Sequence, residues 1–402
     1  MISVEEAVAQ LVEGVEPASG TEDVALHDAL ERVLATELRA TRTQPDFDSS
    51  AMDGYAVRAA DLADLSRSLE VIGEAAAGSA FDGSVGSGQA VRIFTGAPVP
   101  AGADSILIQE NAETLGDRLI RATAAPSTGQ HIRPAGNDFA QDDILLSVGT
   151  WLRPGALALA ASGGHPILTV RRRPRVAVLA TGSELVAPGE PVGPAQIVAS
   201  NGYGVAAIVR RAGGEILDYG IAPDDPAKIA ACVDRAIDER IDLLVTIGGA
   251  SVGDHDHIGA VFEAKGVSLD FWKVAMRPGK PIMAGRLNGM RLIGLPGNPA
   301  SSLVAASVFL RPLVRALAGR QPEPLTRVGR TGVALPANPS ERTNFLRSIS
   351  ELSAEGGAIV TPMDRQDSSL LSIYARASAL LMRPAQAARA EAGDPCLYVD
   401  LD

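Results

Sequence analysis

The stretch VAVLATGSEL (residues 176–185) decides the fold, because its pattern returns in LLVTIGGASVGDHD (243–256) and RLIGLPGNPASS (291–302). Each runs a β-type apolar segment into a glycine turn and out toward a helix. In a parallel sheet the C-terminal ends of the strands share one edge, and open α/β sheets bind ligands in the crevice beyond it. Backbone N–H groups at a glycine turn, backed by a helix N-terminus, form an anion site. Between the second and third turns lies WKVAMRPGKP (272–281), with Lys273, Arg277 and Lys280. The local reading is a pocket for a phosphate-bearing or oxyanionic ligand.

Outward from that core, 402 residues exceed what one hydrophobic core covers, so several domains are expected. With 46% apolar and 21% charged residues the composition is that of an ordinary globular chain. No apolar run in the sequence reads as a membrane span, and the acidic, amphipathic first residues read as a helix, not as a signal peptide. Cys232 and Cys396 are the two cysteines, with no C-x-x-C pair, which argues against a disulfide framework and for a reducing cytoplasm. A net charge of −12 disfavours general nucleic-acid binding. Locally the picture differs. The chain has four lysines, at 228, 265, 273 and 280, and two of them fall in the 272–281 segment. Lysine presents a compact point charge, arginine a planar fork.

Apolar positions at helical spacing predict a first helix from Val4, Ala7, Val8, Leu11 and Val12, and a second over 24–34. Residues 43–139 are rich in Gly, Pro, Ser and Asp, with apolar runs at 69–75, 90–96 and 105–110, and read as a small β domain. Helical periodicity returns at 154–162, and that piece is expected to pack with the N-terminal helix, making the β module an insertion. Beyond RRRP (171–174) the alternation is βαβ, with Asn201 as N-cap of a helix over 202–211 and Asn298 capping a helix that starts at Pro299. Pro312 should kink or break that last helix. Short strands near 358–361, 379–382 and 396–399 suggest a C-terminal β-barrel or sandwich. The expected architecture is therefore α/β plus β: a discontinuous helical domain (1–42 and 140–172), an inserted β domain (43–139), an α/β domain (173–320) and a C-terminal β domain (321–402).

Several residues could carry chemistry. Glu184 follows the first turn, and a carboxylate beside an anion site calls for a mediating cation, which points to Mg²⁺ with oxygen ligands. Its bland alternative is a helix-start glutamate satisfying the dipole. In the second turn Gly248, Gly249 and Gly253 permit close backbone approach, Ser251 can donate to a phosphate oxygen, and Asp254 and Asp256 can bind a metal. His255 and His257 raise a zinc alternative, which lacks a second soft-ligand cluster. Pro278 and Pro281 stiffen the loop that carries the cations. The third turn offers donors from Gly297, Asn298, Ser301 and Ser302. In the first half, residues 45–57, 93–104 and 129–139 are loop segments with a carboxylate beside glycine, the usual place for binding residues. No nucleophile elbow, complete phosphate loop or dinucleotide fingerprint is present in the right context.

Taken together, DSSAMDGYAV, IFTGAPVPAGAD, GQHIRPAGND, ATGSEL, SNGY, GGASVGDHD, KVAMRPGKP and GLPGNPASS occur in this order. The series resembles the molybdopterin molybdenumtransferase family, the bacterial proteins similar to the E domain of gephyrin, and the resemblance covers essentially the whole chain. It implies the four domains above, with the α/β domain binding molybdopterin. It also implies a homodimer whose active site joins the α/β domain of one subunit to the inserted β domain of the other. The implied reaction ligates molybdate into adenylylated molybdopterin with Mg²⁺ assistance, releasing AMP and forming molybdenum cofactor. By resemblance, Asp53, Thr95 and Asp138 come from the partner, while Glu184, Asp224, Asp256 and Ser368 join Pro296 and Pro299 opposite. Asp254 stands as the alternative to Asp256, and Asp225 to Asp224. Arg277 departs from the family, where a lysine is common. Molybdopterin adenylyltransferase and molybdoenzyme maturation proteins are conceivable partners, and an adenylyltransferase activity or a non-catalytic scaffold or carrier role are the competing functions.

Overall fold

A computed structural model describes residues 1–249, 257–354 and 356–401. The chain divides into two compact units, residues 1–22, 31–35 and 169–402 in one, residues 23–30 and 36–168 in the other.

The first unit is built on a mixed six-stranded sheet: β1 (Arg175–Thr181), β2 (Glu215–Ala222), β3 (Leu243–Ile247), β4 (Ser268–Trp272), β5 (Met283–Leu287) and β6 (Met290–Leu295). Its order is β2-β1-β3-β6-β5-β4. The pairs β1–β2, β1–β3 and β3–β6 are parallel, and β5 runs antiparallel to both β6 and β4. Every residue of β3 and β6 is buried, which is why both read as unbroken apolar runs: the sheet is covered on both faces. Successive side chains divide between those faces. Val176, Val178, Val245 and Ile293 enter one core with Val205, Phe309 and Val314, while Ala177, Leu179, Leu244 and Leu292 enter the other with Ile229, Val233 and Phe262.

The helices supplying these partners come from predictable signals. α1 (Val4–Val12) starts in a capping box, with Ser3 and Glu6 bonding each other's backbone N–H, and it packs against the helix ending at Leu317 and against β4. α2 (Pro154–Ser162) lies in the second unit, against the strand Ile144–Leu146 and the turn Leu26–Asp28. The helix pair expected from these two segments is thus divided between the units. α3 (Asn201–Arg211), α4 (Pro226–Asp238), α5 (His257–Ala264) and α6 (Pro299–Ala305) flank the sheet.

Pro312 does not break its helix. A π turn over Ala306–Leu310 precedes α7 (Arg311–Leu317) and places Pro312 in the first turn of the new segment. Widening the ladder just upstream absorbs a residue that can neither donate nor tolerate the carbonyl below it. The composite helix Pro299–Leu317 is, contrary to expectation, long and apolar enough to span a membrane by length and composition, but 78% of its apolar window is buried inside the molecule as a core helix.

The C-terminal strands Arg327–Thr331, Thr343–Leu352, Ala358–Pro362, Ala379–Arg383 and Pro395–Asp400 form a sheet that closes on itself, a barrel, through pairing of Thr343–Leu352 with Ala379–Arg383. A sixth strand, Met276–Arg277, joins Thr343–Asn344 in parallel. This pins the cation-bearing loop of the α/β region to the barrel.

The second unit holds another six-stranded sheet, including the strands Ser68–Ala75, Gln89–Ile93 and Ser105–Ile108 that the sequence indicates. The helix expected over 24–34 is absent. Residues Thr21–Ala25 form a strand, followed by the 3₁₀ turn Leu26–Asp28. The Leu26 N–H bonds the distant Pro166 carbonyl at 2.9 Å, a tertiary partner that outcompetes local helical bonding.

Candidate functional site

The three glycine turns meet at the C-terminal edge of the sheet. Together they line a cleft of about 470 Å³ with Thr181, Gly182, Glu184, Asp224, Gly248, Gly249, Lys280 and residues 296–299. Pro296, Gly297, Asn298 and Pro299 all reach it, as does Asn201. This volume lies within the range of small-molecule sites. A second cavity, of about 490 Å³, opens at the opposite edge, where two of its three arginines are already engaged: Arg172 grips Asp242 at 2.8 and 3.0 Å, and Arg175 donates to the Glu239 carbonyl. The first cleft is the one that the three glycine turns line.

Two glycines are required by geometry. Gly248 has φ +93°, and a Cβ there would lie 2.6 Å from the Thr181 carbonyl oxygen. Its own N–H bonds the Leu295 carbonyl at 3.0 Å, so the second turn is locked to the strand that leads into the third. At Gly182 (φ +153°) a Cβ would sit 2.5 Å from Glu184 Oε2, so only glycine lets the Glu184 carboxylate fold back over its turn. Ser183 N–H donates to Asp224 Oδ2 at 3.0 Å, and Asp224 N–H donates to Ser183 Oγ at 3.1 Å. This reciprocal pair holds the loops after β1 and β2 together and leaves Asp224 Oδ1 available. The N-cap of α3 is Ser200, not Asn201. Asn201 instead spends its amide on the Gly297 carbonyl at 2.6 Å, tying α3 to the third turn. Asn298 does occupy the N-cap of α6, with Pro299 following.

The cation loop separates the three charges. Lys280 lines the cleft, and its ammonium lies 3.3 Å from Met1 Sδ. Arg277 sits on the strand paired with Asn344. Lys273, at φ +74°, turns its ammonium over the Trp272 ring, 4.6 Å from the centroid, and does not line the cleft. Ser251, Gly253, Asp254 and Asp256 lie outside the described residues, so the second turn is seen only through Gly248 and Gly249.

The barrel contributes more than Ser368. The Ser368 carbonyl accepts from the Ala300 N–H at 3.0 Å, which seats its loop on the first turn of α6. That loop is held from behind by Arg347, 1% exposed, whose guanidinium donates to the Asp367 carbonyl at 3.1 Å. Arg347 also clasps Gln366 through backbone bonds of 2.9 Å in both directions. Arg347 Nε is buried without a hydrogen-bond partner, and so is Ser302 Oγ on α6. Unpaired buried donors are costly and rare. These two lie on segments joined through the Ser368–Ala300 bond. Ser302 was visible in the sequence as a donor. Arg347 was not, because one arginine on a strand carries no sign of burial.

In the second unit, loops 45–57, 93–104 and 129–139 are woven together. Ser50 N–H donates to the Ala97 carbonyl (3.0 Å), Gly96 N–H to the Ser50 carbonyl (2.8 Å), Ala51 N–H to the His131 carbonyl (2.8 Å), and Ala135 N–H to Asp48 Oδ1 (2.8 Å). Asp53 and Thr95 meet: Asp53 Oδ1 accepts from both the Thr95 N–H and its hydroxyl at 2.8 Å. The backbone bond first and the hydroxyl second hold the Asp53 carboxyl below the usual range. Asp138 is exposed on the third loop, its N–H bonded to the Gln44 carbonyl at 3.0 Å.

Among the described residues no group of three or more His, Cys, Asp or Glu side chains is assembled to hold a metal. Glu184 and Asp224 are two hard oxygen donors on one cleft wall. That set fits Mg²⁺ as the ion is commonly bound, by one or two carboxylates completed by substrate phosphates and water.

Comparison with known proteins gives three family matches in chain order: the MoeA N-terminal region (domain I and II) over residues 2–164, a probable molybdopterin binding domain over 177–316, and the MoeA C-terminal region (domain IV) over 329–401. The chain is 33% identical to the molybdopterin molybdenumtransferase of Haemophilus influenzae, across 98% of this chain and 97% of that one. It is 36% identical to the molybdopterin molybdenumtransferase of Bacillus subtilis, across 95% and 90%. Among solved structures, the molybdopterin biosynthesis MoeA protein of Pyrococcus horikoshii superposes with a TM-score of 0.84 at 27% identity, covering 100% of both chains.

Proposed function

Because the chain belongs to the molybdopterin molybdenumtransferase family and is thus a transferase of molybdenum cofactor biosynthesis, we propose that it ligates molybdate into adenylylated molybdopterin, releasing AMP and forming molybdenum cofactor. The observation that carries this reading is the cleft in which three glycine turns, Lys280 and two carboxylates, Glu184 and Asp224, come together. Molybdate is a tetrahedral dianion, and the unpartnered Ser302 Oγ and Arg347 Nε are directed O–H and N–H donors of the kind such an ion takes.

The residues divide the work. The turns at Gly182, Gly248 and Gly297 bring backbone amides to the pyrophosphate, and Lys280 neutralises part of its charge. Asn201 holds the third turn in register. Ser302 and Arg347, with Arg277 on the neighbouring strand, bind and orient molybdate. Ser368 fixes the loop that closes this end. Glu184 and Asp224 would hold Mg²⁺, which when bound lowers the charge on the bridging phosphates and makes AMP a better leaving group. Substrate sulfur captures the molybdenum, so the protein needs no thiol, and neither Cys232 nor Cys396 lines the cleft. The Asp53–Thr95 loops of a second copy complete the site in a homodimer, with Asp53 kept ionised by Thr95. In this reading the molecule works in the cytoplasm.

The test is single-turnover. Protein, Mg²⁺ and adenylylated molybdopterin are mixed with and without molybdate, and AMP is followed by chromatography. Molybdate-dependent AMP release is expected. AMP formed equally without molybdate, or no AMP at all, would overturn the proposal.

A further inference from the structure

We propose that Arg92, in the second unit, is a positioning residue for the reaction: its guanidinium clamps the two loop ends that carry Asp53 and Thr95, and so fixes how their side chains meet. This rests on the reading above, which gives the Asp53–Thr95 pair a part in the site. Asp53 and Thr95 stand 42 residues apart in the chain, on separate loops. Thr95 is exposed and Asp53 half-buried, so little packing of their own holds them together.

Arg92 reaches both loop ends by two different means. It lies on the strand Gln89–Ile93, directly across from Tyr55 on the strand Gly54–Val57. Its guanidinium is covered by two rings, 5.1 Å from the Tyr55 centroid and 4.9 Å from that of Phe94. Stacking on Phe94 steadies the residue that precedes Thr95. The edge of the guanidinium acts as a fork: Nη1 donates to the Gly54 carbonyl at 3.1 Å and Nη2 to Gln109 Oε1 at 3.0 Å. The Gln109 N–H then donates to the Asp53 carbonyl at 3.1 Å. The carbonyls of Asp53 and Gly54 are thus drawn into one frame, directly by Arg92 and through Gln109.

Strand pairing does not call for this side chain. The strand Gly54–Val57 is already bonded on both sides, to Gln89–Ile93 and to Ser105–Ile108. What the clamp adds is geometry at the ends of those strands, where Asp53 and Thr95 sit. After the two Thr95 bonds, backbone first, the Arg92 charge also helps to hold the Asp53 carboxyl low. Lysine would keep that charge but could not lie flat between two rings while donating to two separate oxygens.

Two variants test the clamp, each read in two ways. Arg92→Lys keeps the charge and loses the fork. Gln109→Ala, on an exposed turn, removes one acceptor of the fork at little risk to folding. The Asp53 carboxyl is titrated in the free protein by NMR of ¹³C-labelled aspartate, its signal assigned by its loss in Asp53→Asn. In Arg92→Lys it should titrate at higher pH than in the parent, because the Thr95 bonds loosen. Single-turnover AMP release should fall about tenfold in kcat, with the KM for molybdate within about twofold. Gln109→Ala should move both readouts in the same direction, with a rate loss of about threefold. A role confined to stability would lower the denaturation midpoint without moving the Asp53 titration. An unmoved titration in both variants therefore overturns the clamp, and so does a moved titration with parental kcat. A parent protein that shows no molybdate-dependent AMP release, while Arg92→Lys still shifts Asp53, instead removes the transfer reading and leaves the hold on Asp53 standing.

Discussion

Ser302→Ala separates a binding hydroxyl from a structural one, because the two roles predict opposite signs. Ser302 is fully buried within α6, and its hydroxyl finds no partner among the described residues. An unpaired buried hydroxyl costs about 1–3 kcal/mol, and alanine is the better helix former by about 0.5 kcal/mol. The substitution removes one oxygen and leaves little cavity. The free protein should therefore become more stable by about 1 kcal/mol, read as a raised denaturation midpoint at unchanged slope. Binding should move the other way. A hydrogen bond to a charged acceptor contributes about 1.5–3 kcal/mol, so molybdate affinity should fall about 10- to 150-fold. Molybdate-dependent AMP release at subsaturating molybdate should fall in proportion. Equilibrium denaturation, molybdate calorimetry and the single-turnover assay are read on the same preparation. A variant that is less stable than the parent, or one that binds molybdate as well, would show that this hydroxyl does not serve the oxyanion.

Three further outcomes follow from the same geometry. Gly248→Ala forces a left-handed backbone on a residue whose Cβ lies 2.6 Å from the Thr181 carbonyl; a loss of about 2–4 kcal/mol of stability is expected, seen in denaturant melts, and a neutral result would mean the turn relaxes freely. If the site is shared between copies, Asp53→Ala and Glu184→Ala proteins, each inactive alone, should regain about a quarter of parental activity when co-refolded in equal amounts, since half the dimers are mixed and each has one intact site; no recovery places both residues in one subunit's site. Asp53 has a depressed pKa from its Thr95 bonds, so its contribution is present above the unfolded value near 3.9 and is lost as pH falls through the lower folded one. Thr95→Val removes the hydroxyl bond but keeps the N–H, so the acid limb of the pH–activity profile should move to higher pH, and an unmoved limb would dissociate Asp53 from it.

How much of this was legible in the sequence depends on whether a residue's role is set by its own backbone. Gly182 and Gly248 announce the turns because no other residue tolerates those dihedrals and contacts, and the apolar runs of β3 and β6 announce a sheet covered on both faces. The helix expected over 24–34 failed because Leu26 bonds Pro166, a partner that local periodicity does not contain. Pro312, expected to kink or break its helix, does not end it, because the compensation lies in the π turn just before it. The cations show the same division. Lys273 and Lys280 look equivalent as charges in one loop, yet a positive φ at Lys273 turns it onto Trp272 and leaves Lys280 at the cleft. Arg347 was illegible for a stronger reason. Its position depends on the barrel docking through Met276–Arg277 onto Thr343–Asn344 and through Ser368 onto Ala300. The glycine-turn cleft is thus encoded locally, whereas the setting of Arg347 and Ser368 exists only once the barrel has closed against α6. Substitutions that loosen that docking, such as Arg347→Met, should therefore abolish molybdate binding while leaving pyrophosphate binding at the turns intact.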